Sequence, residues 1–189
     1  MSRPDHAAFD PDAYGPVFAS LVGDEPAMPL GAGEPDETRR PSFEPLTRAA
    51  AFIDRPILDH GAADCCLASA WLLHGFLDEA HALCQEVGDA SGSYLHGVVH
   101  RREGDYGNAQ YWFRRAGEHP IDPLLASAAA GRPETVELAL GGRWDAVGFV
   151  DAVRRATRTG GELADACVAV QRAEWRALFD HSWRRAVGG

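Results

Sequence analysis

The stretch that decides the fold is Gly92-Ser93-Tyr94-Leu95-His96-Gly97-Val98-Val99-His100-Arg101-Arg102-Glu103-Gly104-Asp105-Tyr106-Gly107-Asn108-Ala109-Gln110-Tyr111-Trp112-Phe113-Arg114-Arg115-Ala116-Gly117-Glu118-His119-Pro120. It reads as two helices joined at Gly104-Asp105. In the second helix, Tyr106, Ala109, Phe113 and Ala116 recur at helical spacing and give one apolar face. Asp105 is placed to cap that helix, because its carboxylate can accept the unsatisfied backbone N–H groups of the first turn. Gly117 and Pro120 stop it. The first helix, read as Ser93 to Glu103, carries two arcs. Tyr94, Leu95, Val98 and Val99 form an apolar one. His96, His100 and Glu103 form the other, within about 60° of one another at roughly 100° per residue.

Shifting the frame by 29 residues lays this hairpin on the preceding one. Gly104 falls on Gly75. Tyr106, Ala109, Phe113 and Ala116 fall on Leu77, Ala80, Cys84 and Val87, and Gly97 falls on Ala68. The chain therefore reads as two copies of one helical hairpin, about residues 61–90 and 91–120. A fixed offset is the mark of a helical repeat. The placement of Gly97, Gly104-Asp105-Tyr106, Ala109, Phe113, Ala116 and Pro120 resembles the tetratricopeptide repeat. Between the copies, Leu67 and Trp71 are replaced by His96 and His100, and His74 by Glu103. An imidazole buried without a partner costs about 1–3 kcal/mol, so buried histidines here require partners.

The run from His96-Gly97 through His100-Arg101-Arg102-Glu103, Asp105, Asn108-Ala109 and Tyr111-Trp112-Phe113-Arg114-Arg115 to Gly117 and His119-Pro120 also resembles a bacterial and fungal family without an assigned activity. Leu73-His74-x-Phe76-Leu77-Asp78-Glu79-x-His81 and Glu174-Trp175-x-x-Leu178-Phe179-Asp180 share in that resemblance, which spans most of residues 60 to 183. It implies a common identity and no mechanism.

Flanking segments complete an all-α reading, with no stretch patterned as a strand. Residues 1–42 hold seven of the twelve prolines and read as a largely irregular N-terminal segment. Within it, Phe9, Tyr14, Val17, Phe18, Leu21 and Val22 are candidates to dock on the core, and Gly23 to Pro41 reads as a mobile acidic linker. Residues 43–187 read as a single all-α domain. Leu46, Ala49, Ala50 and Ile53 mark one side of a modest helix between Phe43 and Phe52, and Arg55-Pro56 breaks it. Helices are expected over Asp59 to His74, Phe76 to Val87, Pro123 to Ala130, Ala146 to Thr159 and Glu162 to Arg185. Residues 131–143 read as a loop or weak helix. In the last helix, Leu163, Cys167, Val170 and Leu178 define an apolar stripe with Glu174 in its middle. A carboxylate there requires an arginine or histidine from another helix, unless it lies at the exposed end of the stripe.

A formal charge of −10 argues against non-specific contact with nucleic acid or acidic membranes. Against that background Arg101, Arg102, Arg114 and Arg115 form a local basic cluster, either an anion site or a set of salt bridges on a solvated helix surface. The four cysteines include no Cys-x-x-Cys pair and favour reduced thiols in a cytoplasmic protein. Residues 1–15 lack the apolar core of a signal peptide, and no run has the length of a membrane span.

Three readings of the central hairpin follow. His96, His100 and Glu103, completed by His81, Glu174 or His119, can hold a divalent zinc, iron or manganese ion and serve a metal-dependent enzyme. The same histidines can form a structural polar network. Or the stacked hairpins can form a binding module, for an unknown protein or small-molecule partner, with a pocket drawing on His96, His100, Glu103, Tyr111, Arg101 and Glu174. No nucleophile elbow or phosphate loop is present, and no catalytic residue is assigned.

Overall fold

Aspartates set the starts of the main helices. In the computed structural model, which describes residues 9–189, Asp59 caps α4 (His60–Leu73), Asp89 caps α6 (Ala90–Glu103), Asp105 caps α7 (Tyr106–Ala116) and Asp145 caps α9 (Ala146–Thr159). Each carboxylate accepts the backbone N–H three residues on, at 3.0 Å from Ala62, 2.9 Å from Gly92, 3.2 Å from Asn108 and 2.8 Å from Gly148. The cap at Asp89 explains why α6 begins before Ser93. Between α4 and α5 (Leu77–Cys84) stands Gly75 at φ +83°, and between α6 and α7 stands Gly104 at φ +84°. Only glycine adopts that left-handed backbone without strain, so the two turns with matching sequence also match in conformation.

The remaining α-helices are α1 (Gly15–Val22), entered from a 3-10 turn over Pro11–Tyr14, the one-turn helices α2 (Arg40–Phe43) and α3 (Arg48–Ala51), α8 (Asp122–Ala130) and the long α10 (Gly161–Val187). Residues Val136–Gly142 form 3-10 turns that end on Gly141 and Gly142 at positive φ. All regular structure among the described residues is helical. α4 packs on α5 and α6 on α7; α6 also packs on α4 and α5, and α10 lies along α4, α8 and α9.

At the crossing of α6 and α7 a Cβ on Gly97 would stand 3.1 Å from three atoms of the Phe113 ring. The first hairpin has Ala68 and Cys84 at the equivalent positions, a larger and a smaller residue in exchange. Gly97→Val should therefore cost about 1–3 kcal/mol by overpacking. Urea denaturation checks this, and Phe113→Leu in the same chain should recover most of the loss.

The N-terminal segment docks on the core through residues expected to do so. Phe18, Leu21 and Val22 of α1 are buried, and the Phe18 ring meets Phe52, Phe179 and Trp183 edge-on. Gly23 to Pro41, expected as a mobile linker, instead runs as an anchored strap. Met28 and Leu30 are buried. The side-chain amide of Gln171 donates to the carbonyls of Met28 and Pro29 at 3.2 and 3.1 Å. Arg102 donates to the carbonyls of Gly31 and Ala32 at 3.2 and 2.9 Å, and to that of Leu72 at 2.8 Å. Buried donors need acceptors, and an extended segment has carbonyls free to provide them. Packing is thus continuous across residue 42. Ile53, placed on the inner side of its helix by spacing, is 74% exposed, because α3 ends at Ala51 before that face extends to it.

Candidate metal centre

The central observation is a cluster of three imidazoles. α5 contributes His81 and α6 contributes His96 and His100, and one ligating atom from each lies within 4.8 Å of the others. His96 and His100 are one helical turn apart, so their rings stack with centroids 4.7 Å apart. The His81 ring meets both edge-on, at 4.5 and 4.9 Å. Nε2 of His81 and Nε2 of His96 are 2.6 Å apart. Two ring nitrogens at that distance share a single proton. Three imidazoles on a zinc ion, each at 2.0–2.1 Å, have nitrogens roughly 3.3 Å apart, so side-chain rotations of about an ångström would close this cluster on an ion.

The surroundings fix the histidines further. Nδ1 of His100 donates to Glu103 Oε2 at 2.9 Å. That assigns the proton to Nδ1 and leaves Nε2 as an acceptor, which takes an N–H from the Asn108 amide at 3.1 Å. The His96 ring lies flat on Trp112 at 4.0 Å, and its buried Nδ1 has no partner among the described residues. Burial, and next the neighbouring imidazoles of His81 and His100, lower the His96 pKa to about 4. At neutral pH the ring is uncharged and offers a lone pair, the form that binds metal.

Of the residues singled out in the sequence, His81, His96 and His100 come together, with Glu103 behind His100. Glu174 does not join them. It is buried on the opposite side of α6, with Nη2 of Arg101 against Oε2 and Nη1 of Arg101 3.1 Å from Oε1. Tyr94 donates to the same Oε1 at 3.1 Å, and Trp144 donates to the Tyr94 hydroxyl at 3.0 Å. The demand for an arginine or histidine partner is thus met by Arg101. Arg101 and Arg102, expected in a basic cluster that is either an anion site or a set of surface salt bridges, are both buried and spent on groups of the chain itself; burial lowers Arg102 to about 10, with Arg101 adding to the effect. Arg114 reaches Gln110 on the surface. Tyr111 is 54% exposed and touches only the edge of Trp112 among the aromatic groups.

His119 is also elsewhere. Its Nε2 lies 3.0 Å from Ser91 Oγ. Its Nδ1 accepts the Ile121 N–H at 3.4 Å, so the proton is on Nε2 and is donated to the serine. That tautomer cannot take the hydroxyl proton, and the Asp122 carboxylate binds the His119 backbone N–H, not the ring. Ser91 and His119 are therefore no nucleophile pair. His74, the positional equivalent of Glu103, contacts the Leu21 carbonyl at 2.7 Å and ties α4 to α1. The four cysteines are buried free thiols outside the cluster, and burial raises Cys84 to about 12.

Sequence reasoning passed over Trp112 and Asn108 as parts of this site. Both lie on α7 at positions four apart, facing the histidine arc of α6, a pairing visible only once the hairpin is closed. No family model, no curated protein and no solved structure matches the chain. No helix among the described residues is long and apolar enough to cross a membrane.

Proposed function

We propose that this protein binds one divalent transition-metal ion, zinc foremost, through His81, His96 and His100. The convergence of three imidazole nitrogens within 4.8 Å carries this reading. Nitrogen donors without thiolate suit zinc, and also iron or manganese if a carboxylate or water joins them. Three protein ligands leave a fourth position for water or a small-molecule oxygen, where an ion acts as a Lewis acid. Glu103 would orient His100 from behind, and Trp112 would hold the plane of His96. Asn108 would release His100 Nε2 as the ion enters. The ligands come from both tetratricopeptide-like hairpins, so the ion would bind the two repeats together.

Elemental analysis of protein purified without a histidine tag is expected to find close to one equivalent of zinc. A metal content below roughly a tenth of an equivalent, after dialysis against zinc, overturns the proposal. Glu103→Gln is expected to weaken binding about 10–100-fold, and His96→Ala more. Zinc at about a hundred times its dissociation constant should stabilise the fold by about 2.7 kcal/mol. If metal is absent and His100→Leu is more stable than wild type, the cluster is a structural network. A second reading, an interaction module, is favoured by the exposure of Tyr111 on the outer face of α7.

A further inference from the structure

The outer face of α10 carries a feature separate from the histidine cluster. Two cavities, of about 430 and 370 Å³, adjoin along it and share Ala173 and Arg176 in their walls. The first has apolar walls from Phe9, Ile121, Leu124, Ala173 and Ala177, and Asp180, His181 and Arg184 also line it. The second joins small apolar groups, Val168, Ala169 and Ala173, to a denser set of charges. Arg132, Arg172 and Arg176 line it with one carboxylate, Asp165.

The guanidinium groups are incompletely used. Glu25 accepts from Nε and Nη2 of Arg176 at 2.7 Å and lies 3.8 Å from Nε of Arg172. Arg184 gives Nε to Asp180 at 2.8 Å, while its terminal nitrogens make no hydrogen bond among the described residues. Arg132 forms no ion pair among the described residues. In a chain of net charge −10, this concentration of arginine beside an apolar cavity is a local reversal of sign. Arginine forks match carboxylate and phosphate oxygens in pairs, and a concave apolar wall supplies the area that holds a ligand body.

We infer that the α10 face is a binding site for a small amphipathic anion, its apolar body in the Leu124 cavity and its acidic group among Arg132, Arg172 and Arg176. A positive amphiphile of equal length gains the same apolar contact, but at the head-group site it meets three guanidinium groups against the carboxylates of Asp165 and Glu25. Charge discrimination is therefore the signature of the site.

Isothermal titration calorimetry of the full chain in chelator-containing buffer, which separates this site from any bound metal, tests the inference. Octanoate, octyl phosphate and octylammonium are compared below their micelle concentrations. At least one of the anions is expected to bind saturably and at least about tenfold tighter than the ammonium, and the tighter anion assigns the head group as carboxylate or phosphate. Leu124→Trp, which fills the apolar cavity, and the double variant Arg132→Ala/Arg172→Ala should each weaken binding about tenfold or more. The arginine variant changes an exposed and a half-buried side chain, neither in a close ion pair, and should melt within about 2 °C of wild type, so it remains decisive if the tryptophan variant misfolds. Equal binding of octylammonium, absence of heat with both anions, or unchanged affinity in the folded arginine variant would each overturn the assignment.

Discussion

Glu174→Gln is expected to destabilise the protein by about 3–5 kcal/mol. Arg101 and Glu174 are both buried, from α6 and α10. Neutralising the carboxylate leaves the guanidinium charged and without its counterion. Nε of Arg101 already lacks a partner, so the site has no spare acceptor to compensate. The rings of Phe149 and Phe113, 4.6 and 5.6 Å from the guanidinium carbon, can hold a cation over their faces but cannot replace a carboxylate. Tyr94 loses its charged acceptor in the same step. Urea denaturation followed by tryptophan fluorescence reads this directly, because Trp175 is buried next to Glu174 in the sequence and donates to the Ser69 carbonyl at 2.8 Å. The double variant Arg101→Met/Glu174→Leu should recover most of the loss, since removing both charges leaves nothing to compensate. A loss below about 1 kcal/mol for the single change would mean the pair is solvated in solution.

Acid is expected to destabilise the fold through His119. Burial, and next the neighbouring imidazole of His181, lower its pKa to about 4; Arg185 adds to this and Asp89 opposes it. The unfolded chain has an ordinary histidine, near 6.5. Below 6.5 the unfolded state takes up a proton that the folded state refuses, so stability is full above pH 6.5 and falls towards pH 4. The contribution from this one group has a limiting slope of about 1.4 kcal/mol per pH unit. Asp122, whose carboxyl is raised mainly by burial, acts with the opposite sign close to pH 4, and His96, also lowered by burial, adds a slope of the same sign, so the His119 share is the difference between wild type and variant from pH 6.5 to 5. Denaturation midpoints for wild type and His119→Gln across that window provide the measurement. The variant should show the shallower slope; parallel curves would place the His119 ring in water.

How much of this was legible beforehand follows from the range of each interaction. Helical periodicity and the aspartate caps at Asp105 and Asp145 act over three or four residues, and they appear where the spacing placed them. The paired arc of His96 and His100 is likewise local. His81 was one of three candidates to complete it, because helical spacing reports which residues share a face but not which neighbouring helix covers that face. The strap from Gly23 to Pro41 reads as a linker for a related reason. Its composition is that of a solvated segment, and its anchors, Arg102 and Gln171, are distant in sequence. Arg101 and Arg102 were misread because two adjacent arginines on a helix are ordinarily solvated.

By itself, the sequence determined an all-helical chain, two glycine turns between successive helices, and a helix bearing two imidazoles one turn apart. Those depend on backbone geometry and near neighbours alone. Only the tertiary structure decided that α5 brings His81 to those imidazoles, that Arg101 turns away to Glu174, and that backbone carbonyls of the N-terminal strap satisfy Arg102. Burial of polar groups is tolerated only with matching partners, and those partners are brought close by packing between helices.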